Sequence, residues 1–156
     1  MKTYEKEIEF IFYSLHYMMI ERPKVKAWAE RVIAENDELL EWAIELLDCK
    51  IRDVDSIIKR LHQKELFEEE PREFFTALTH LWRDSKIDSQ LLHQIVWNAH
   101  DSGLYEKRED DWALEIATAM EFYVESTFEE EVQKAFSRFQ NDKLESNLSF
   151  WFSEYE

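Results

Sequence analysis

The chain is predicted to be all-α, with roughly eight helices in stacked antiparallel hairpins, as a helical array or an irregular bundle. Three observations predict this. Glycine occurs once, at Gly103, and proline only at Pro23 and Pro71. Hairpin turns need glycine at positive φ and phosphate-cradling loops need it for close approach, so both are starved here. Apolar residues recur at three- and four-residue spacing through most of the chain, the period of a helix face. Six Trp and eleven Phe in 156 residues supply a bulky core, and the length suits a single helical domain over 1–156.

In order, Ile8, Ile11, Phe12, Leu15 and Met19 place a first helix from Thr3 to about Glu21. Phe10, Tyr13 and Tyr17 widen its apolar surface, and Glu21-Arg22-Pro23 should end it, because the residue before proline disfavours the helical region. Pro23 then suits the first turn of the next helix. From Val25 to Leu47 the spacing predicts two short helices broken at Asn36-Asp37. Val25, Trp28, Ala29, Val32 and Ile33 form one stripe, and Leu39, Leu40, Ala43, Ile44 and Leu47 form the other. Asp37 is the expected N-cap of the second, and an antiparallel hairpin is the expected result.

Asp53 should cap a helix from about Val54 to Gln63 with Ile57, Ile58 and Leu61 inward. Glu65 to Glu70 reads as an acidic linker. Pro71 opens the next helix, whose inner face holds Phe74, Phe75, Leu78, Leu81 and Trp82. Asp88 should cap another, carrying Leu91, Leu92, Ile95, Val96 and Ala99, and Gly103 suits its left-handed end. Asp37-Glu38-Leu39-Leu40 and Asp88-Ser89-Gln90-Leu91-Leu92 echo each other, each opening the second helix of a pair whose first carries tryptophan. Helices over 106–126, 127–140 and 143–152 complete the chain. Thr127-Phe128-Glu129-Glu130 has the capping-box pattern, and Leu144, Leu148, Trp151, Phe152 and Tyr155 form an aromatic tail expected to dock on the core.

Composition restricts function. A net charge of −16 excludes direct nucleic-acid binding, which needs clustered Lys and Arg against phosphate. No apolar run approaches a membrane span, and the charged N-terminus does not resemble a signal peptide. Cys49 is the only cysteine, so no intramolecular disulfide forms, which fits a cytoplasmic protein. None of the five histidines has a glutamate three residues before it, and no His-Glu-x-x-His occurs, so no metal site and no cofactor is expected. His93 and His100 share a face, and His80 should pair with Asp84 at i, i+4. No nucleophile elbow or acid/base couple stands out, so the chain is not expected to be an enzyme.

Charge is distributed unevenly. The net is −4 over residues 1–50, −2 over 51–100 and −10 over 101–156, where 15 acidic residues meet 5 basic ones. On a helical wheel of 109–126, Asp110, Asp111, Glu115, Glu121 and Glu125 fall in one sector, with Leu114 and Phe122 among them. Trp112, Ile116, Met120 and Tyr123 fall opposite. Acids around one or two apolar side chains suit a basic protein partner, which carboxylates steer in and apolar anchors hold. The same sector also suits an ordinary solvated helix face.

The run Trp28-Ala29-Glu30, Val32-Ile33, Asn36-Asp37, Glu41-Trp42, Ile44 and Leu46-Leu47 resembles the small acidic all-helical immunity proteins of bacterial polymorphic toxin systems. The resemblance covers residues 25–61. It departs at Leu39-Leu40, before the second tryptophan, where several such families carry proline. It implies a protein that binds and blocks a toxin domain, often a nuclease, without chemistry of its own. A helical adaptor for a peptide or partner helix, and an acidic mimic of nucleic acid, are the alternatives. A homodimer through exposed Phe122 and the aromatic tail stays open.

Overall fold

A computed structural model describes residues 4–62, 72–102, 130, 132–134 and 136–152. The chain is all-α with about eight helices, and no strand occurs among the described residues. Seven α-helices are numbered here: α1 Glu5–His16, α2 Arg22–Glu35, α3 Glu41–Asp48, α4 Val54–Leu61, α5 Arg72–Arg83, α6 Ser89–Ser102 and α7 Leu148–Trp151. Short 3-10 turns occupy Ile51–Asp53 and Ser137–Phe139. The chain divides into two compact units: residues 1–64 with 146–156, and residues 65–145.

In the first unit α2 packs on α3 and α4, and α1 packs on α4. Lys26, near the start of α2, donates to Leu47 O at 2.7 Å and to Cys49 O, at the end of α3. The two helices therefore run antiparallel, as their short connection requires. The core is Phe10, Ile11 and Tyr13 of α1, Val25, Trp28, Ala29 and Val32 of α2, Ala43 and Leu46 of α3, and Val54, Ile57 and Ile58 of α4. Leu61 is only half-buried. Arg22 reaches Asp55 through two bonds of 2.8 and 3.0 Å, and Arg60 holds Glu45 at 2.6 Å. These pairs are exposed and add little to stability.

Three helix boundaries differ from expectation. The first helix stops at His16, not near Glu21, because Met18 takes a left-handed φ of 58°. Met18 N–H then bonds Leu15 O at 3.1 Å and Met19 N–H bonds Ser14 O at 2.8 Å. This is a Schellman ending built without glycine. The run Tyr17–Ile20 reads as helix because it is apolar, yet Met18 is fully outside while Ile20 is buried. Arg22, expected to end a helix, instead begins α2, with Pro23 in its first turn.

At the second boundary Asp37 is not an N-cap. The helix it was expected to open begins four residues later, with Leu40 in the capping position and no side-chain bond there. Leu39 and Leu40 thus leave the apolar stripe predicted for them. Asp53 does sit at the N-cap of α4, also without a side-chain bond. Third, 143–147 is not helical: α7 is one turn, capped by Asn147, whose Oδ1 accepts from Phe150 N–H at 3.2 Å. Trp151 docks as expected, 5.9 Å from Phe10 and 6.3 Å from Trp28 between ring centroids.

In the second unit Phe74, Phe75, Leu78 and Leu81 of α5 are buried with Ile87, Leu92, Ile95, Val132, Phe136 and Phe139. Trp82 and Leu91 are half-buried. Asp88 caps α6 as predicted, its Oδ1 accepting from Leu91 N–H at 2.8 Å. The echo with Asp37 therefore fails structurally: one aspartate caps a helix and the other stands in a loop. Helix α5 ends as α1 does, with Ser85 at φ 57° and bonds from Ser85 N–H to Trp82 O and from Lys86 N–H to Leu81 O. The buried Glu73 carboxylate accepts Glu145 N–H at 3.1 and 3.2 Å, and Arg72 holds Asp142 at 2.8 Å. Pro71, Gly103 and Thr127–Glu129 lie outside the described residues.

Candidate partner-binding surface

The α2–α3 connection presents an exposed leucine and several exposed carboxylates together. Helix α2 ends at Asn36, whose Nδ2 donates to Val32 O at 2.6 Å and to Tyr4 Oη at 2.6 Å. The first bond satisfies a carbonyl of the last turn. The second ties the loop to the residue preceding α1. Tyr4 in turn stands edge-on to Trp28 at 6.0 Å and to Trp42 at 5.8 Å, and the two tryptophans lie 5.7 Å apart. Trp28 Nε1 donates to Glu7 Oε2 at 2.9 Å in the interior. Asn36 thus ties the start of the loop to a cluster of three aromatic rings.

On this base Asp37, Glu38, Leu39 and Glu41 face solvent, with Leu39 73% exposed. The three carboxylates have no ion-pair partner among the described residues. By contrast Arg31 occupies Glu35, and Arg60 occupies Glu45. Glu41 lies in the first turn of α3, where negative charge meets the positive end of the dipole. That accounts for Glu41 but not for the exposure of Leu39. The arrangement sets negative charge beside one exposed apolar side chain. It can attract a cation-rich surface and set one leucine into it.

The acidic face expected on a later helix (Asp110, Asp111, Leu114, Glu115, Glu121, Phe122 and Glu125) lies outside the described residues. The pattern it was inferred from, acids around an apolar side chain, recurs at 37–41. Sequence reasoning missed this second occurrence because Asp37-Glu38-Leu39-Leu40 also satisfies a helix start with two stripe leucines. The polar Asn36-Asp37 break was the available signal, and it marked the loop but not its length.

Cys49, His62 and His80 are half-buried and Tyr13 is buried. Burial raises the Cys49 thiol pKa, opposed by Lys26, and Sγ donates to Leu46 O at 3.1 Å. His62 lies 4.7 Å from the Phe12 ring and 5.5 Å from Tyr13, and burial lowers its pKa. Burial likewise raises the Tyr13 hydroxyl. His80 meets Arg83 Nη2 at 2.8 Å rather than depending on Asp84, and burial followed by Arg83 lowers its pKa. The side chain of His100 is outside the described residues, so the pair with His93 is not seen. Among the described residues no three His, Cys, Asp or Glu side chains gather to hold a metal, and no helix is long and apolar enough to cross a membrane.

No protein-family model matches the chain, and neither does any curated protein or solved structure.

Proposed function

We propose that the chain is a protein-binding inhibitor of the immunity type, which neutralises a basic toxin domain, such as a nuclease, by covering its surface. The observation that carries this reading is Leu39, 73% exposed, among the exposed carboxylates of Asp37, Glu38 and Glu41, which have no ion-pair partner among the described residues, in a loop that Asn36 ties to Tyr4. The charge of −16 supports it, because a strongly acidic protein associates fast with a basic one and the rate falls with salt. The resemblance over residues 25–61 spans this loop, and the expected acidic face at Asp110–Glu125 is a second surface of the same chemistry.

The test is capture of the partner at low and high salt, followed by mass spectrometry and expression of the captured protein alone. A stoichiometric basic protein that stops growth when expressed without this chain is the expected result. Leu39→Ala should then weaken the complex about tenfold, the loss of roughly 1.4 kcal/mol of anchor contact. Asp37→Asn, Glu38→Gln and Glu41→Gln together should slow association and flatten its salt dependence, leaving the helical spectrum unchanged. A neutral partner held equally well at high salt would replace this reading by the adaptor.

A further inference from the structure

The first unit is completed by chain from the far end of the sequence. Residues 146–152 belong to it, yet the whole of residues 65–145 separates them from residue 64. Trp151 is 7% exposed and Leu148 4%. Trp151 lies against Phe10 and Trp28, while Lys24 Nζ stands 4.5 Å and the Arg31 guanidinium 4.8 Å from the centre of the Phe150 ring. The plug is thus an apolar anchor at Leu148 and Trp151 with a ring between two cations.

Plug and seat differ in what holds them. Helix α7 is four residues long, far too short to persist by itself, so its shape depends on its seat. The seat does not depend on the plug in the same way. Phe10 lies on α1, which packs on α4, and Lys24, Trp28 and Arg31 lie on α2, which packs on α3 and α4. Plug and seat are joined in sequence only through residues 65–145, and no tight turn among the described residues links them.

We propose that this seat is an exchangeable docking site whose second occupant is α7 of another copy of the chain, giving a dimer by reciprocal exchange. A second copy presents Leu148, Phe150 and Trp151 at identical spacing, and exchange replaces each contact of plug and seat by its equivalent. Only the freedom lost on association opposes it, which is why swapping is a low-cost route to dimers.

The test mixes two full-length chains, Lys24→Cys with Cys49→Ser and Phe150→Cys with Cys49→Ser, at high protein concentration under oxidation. The expected product is a mixed disulfide several-fold above either homodisulfide. It should be lost when Trp151→Ala is added to the second chain. Native mass spectrometry of the unaltered protein should show a dimer that grows with concentration and falls several-fold in Trp151→Ala. If that variant loses its helical spectrum, Leu148→Ala takes its place. A monomer at every concentration with no excess of mixed disulfide overturns the proposal. So does a dimer equally populated without the tryptophan.

Discussion

His62 illustrates how single residues in this protein are held by burial rather than by charge. Its ring rests on Phe12 and meets Tyr13 edge-on, and its Nε2 is buried without a hydrogen-bond partner. Burial therefore favours the neutral imidazole and lowers the pKa below the ordinary value of 6.5. A folded-state pKa below the unfolded one means that the unfolded chain takes up the proton first. The stability this contributes is complete above about pH 6.5 and declines as pH falls below that value. His62→Gln should remove that part of the dependence. Urea denaturation of both proteins at about pH 7.5 and 5.5 checks it: the difference between them should change with pH, and a constant difference would refute the assignment. Glu7 is the contrasting residue, a carboxylate kept inside because the Trp28 indole donates to it.

Helix endings expose the cost of having almost no glycine. Helices α1 and α5 finish in the same six-to-one and five-to-two bond pattern, with Met18 and Ser85 in the left-handed position that glycine usually fills. A residue with a Cβ pays about 1–2 kcal/mol for that conformation, whereas glycine loses about 0.5–1 kcal/mol through backbone freedom. Met18→Gly and Ser85→Gly should each therefore stabilise the fold, by up to about 1 kcal/mol, or roughly 2–4 °C in Tm. Met18 is the cleaner test, because at 88% exposure its side chain has little packing to lose. A lower Tm for Met18→Gly, measured by circular dichroism, would mean that its side chain contributes more than its backbone costs. The unexpected length of the α2–α3 loop belongs to this scale too. Leu39 and Leu40 have the right spacing to continue the stripe of Ala43 and Ile44, so periodicity cannot distinguish a helical leucine from one displayed beside it.

For the whole molecule, charge sets the expectations. Several arginines hold carboxylates at the surface, as Arg22 holds Asp55 and Arg72 holds Asp142, but 19 basic residues cannot balance 35 acidic ones. Isolated exposed pairs contribute at most about 1 kcal/mol each and weaken with salt. Repulsion among the excess acids acts on the compact chain and is also screened, once the Debye length drops to about 10 Å near 0.1 M salt. Repulsion should dominate, so Tm should rise by about a few degrees between low and moderate sodium chloride. A falling Tm would show that the ion pairs outweigh the net charge.

The all-helical class was legible in the sequence because it depends on local quantities: one glycine, two prolines and a persistent helical period. The buried faces of α2, α4 and α5 were legible for the same reason, down to Trp28, Ile57, Ile58, Phe74 and Phe75, and so was the Asp88 cap, whose bond spans only three residues. Tertiary structure decided what depends on partners distant in the chain. Pairing of α1 with α4, the seating of Trp151 on Phe10 and Trp28, and the tie from Asn36 to Tyr4 join residues that no local pattern relates. The same holds for the exposed leucine of the candidate surface. Hydrophobicity indicates that Leu39 favours burial, but in the folded chain α3 begins only at Glu41 and leaves Leu39 in an exposed loop.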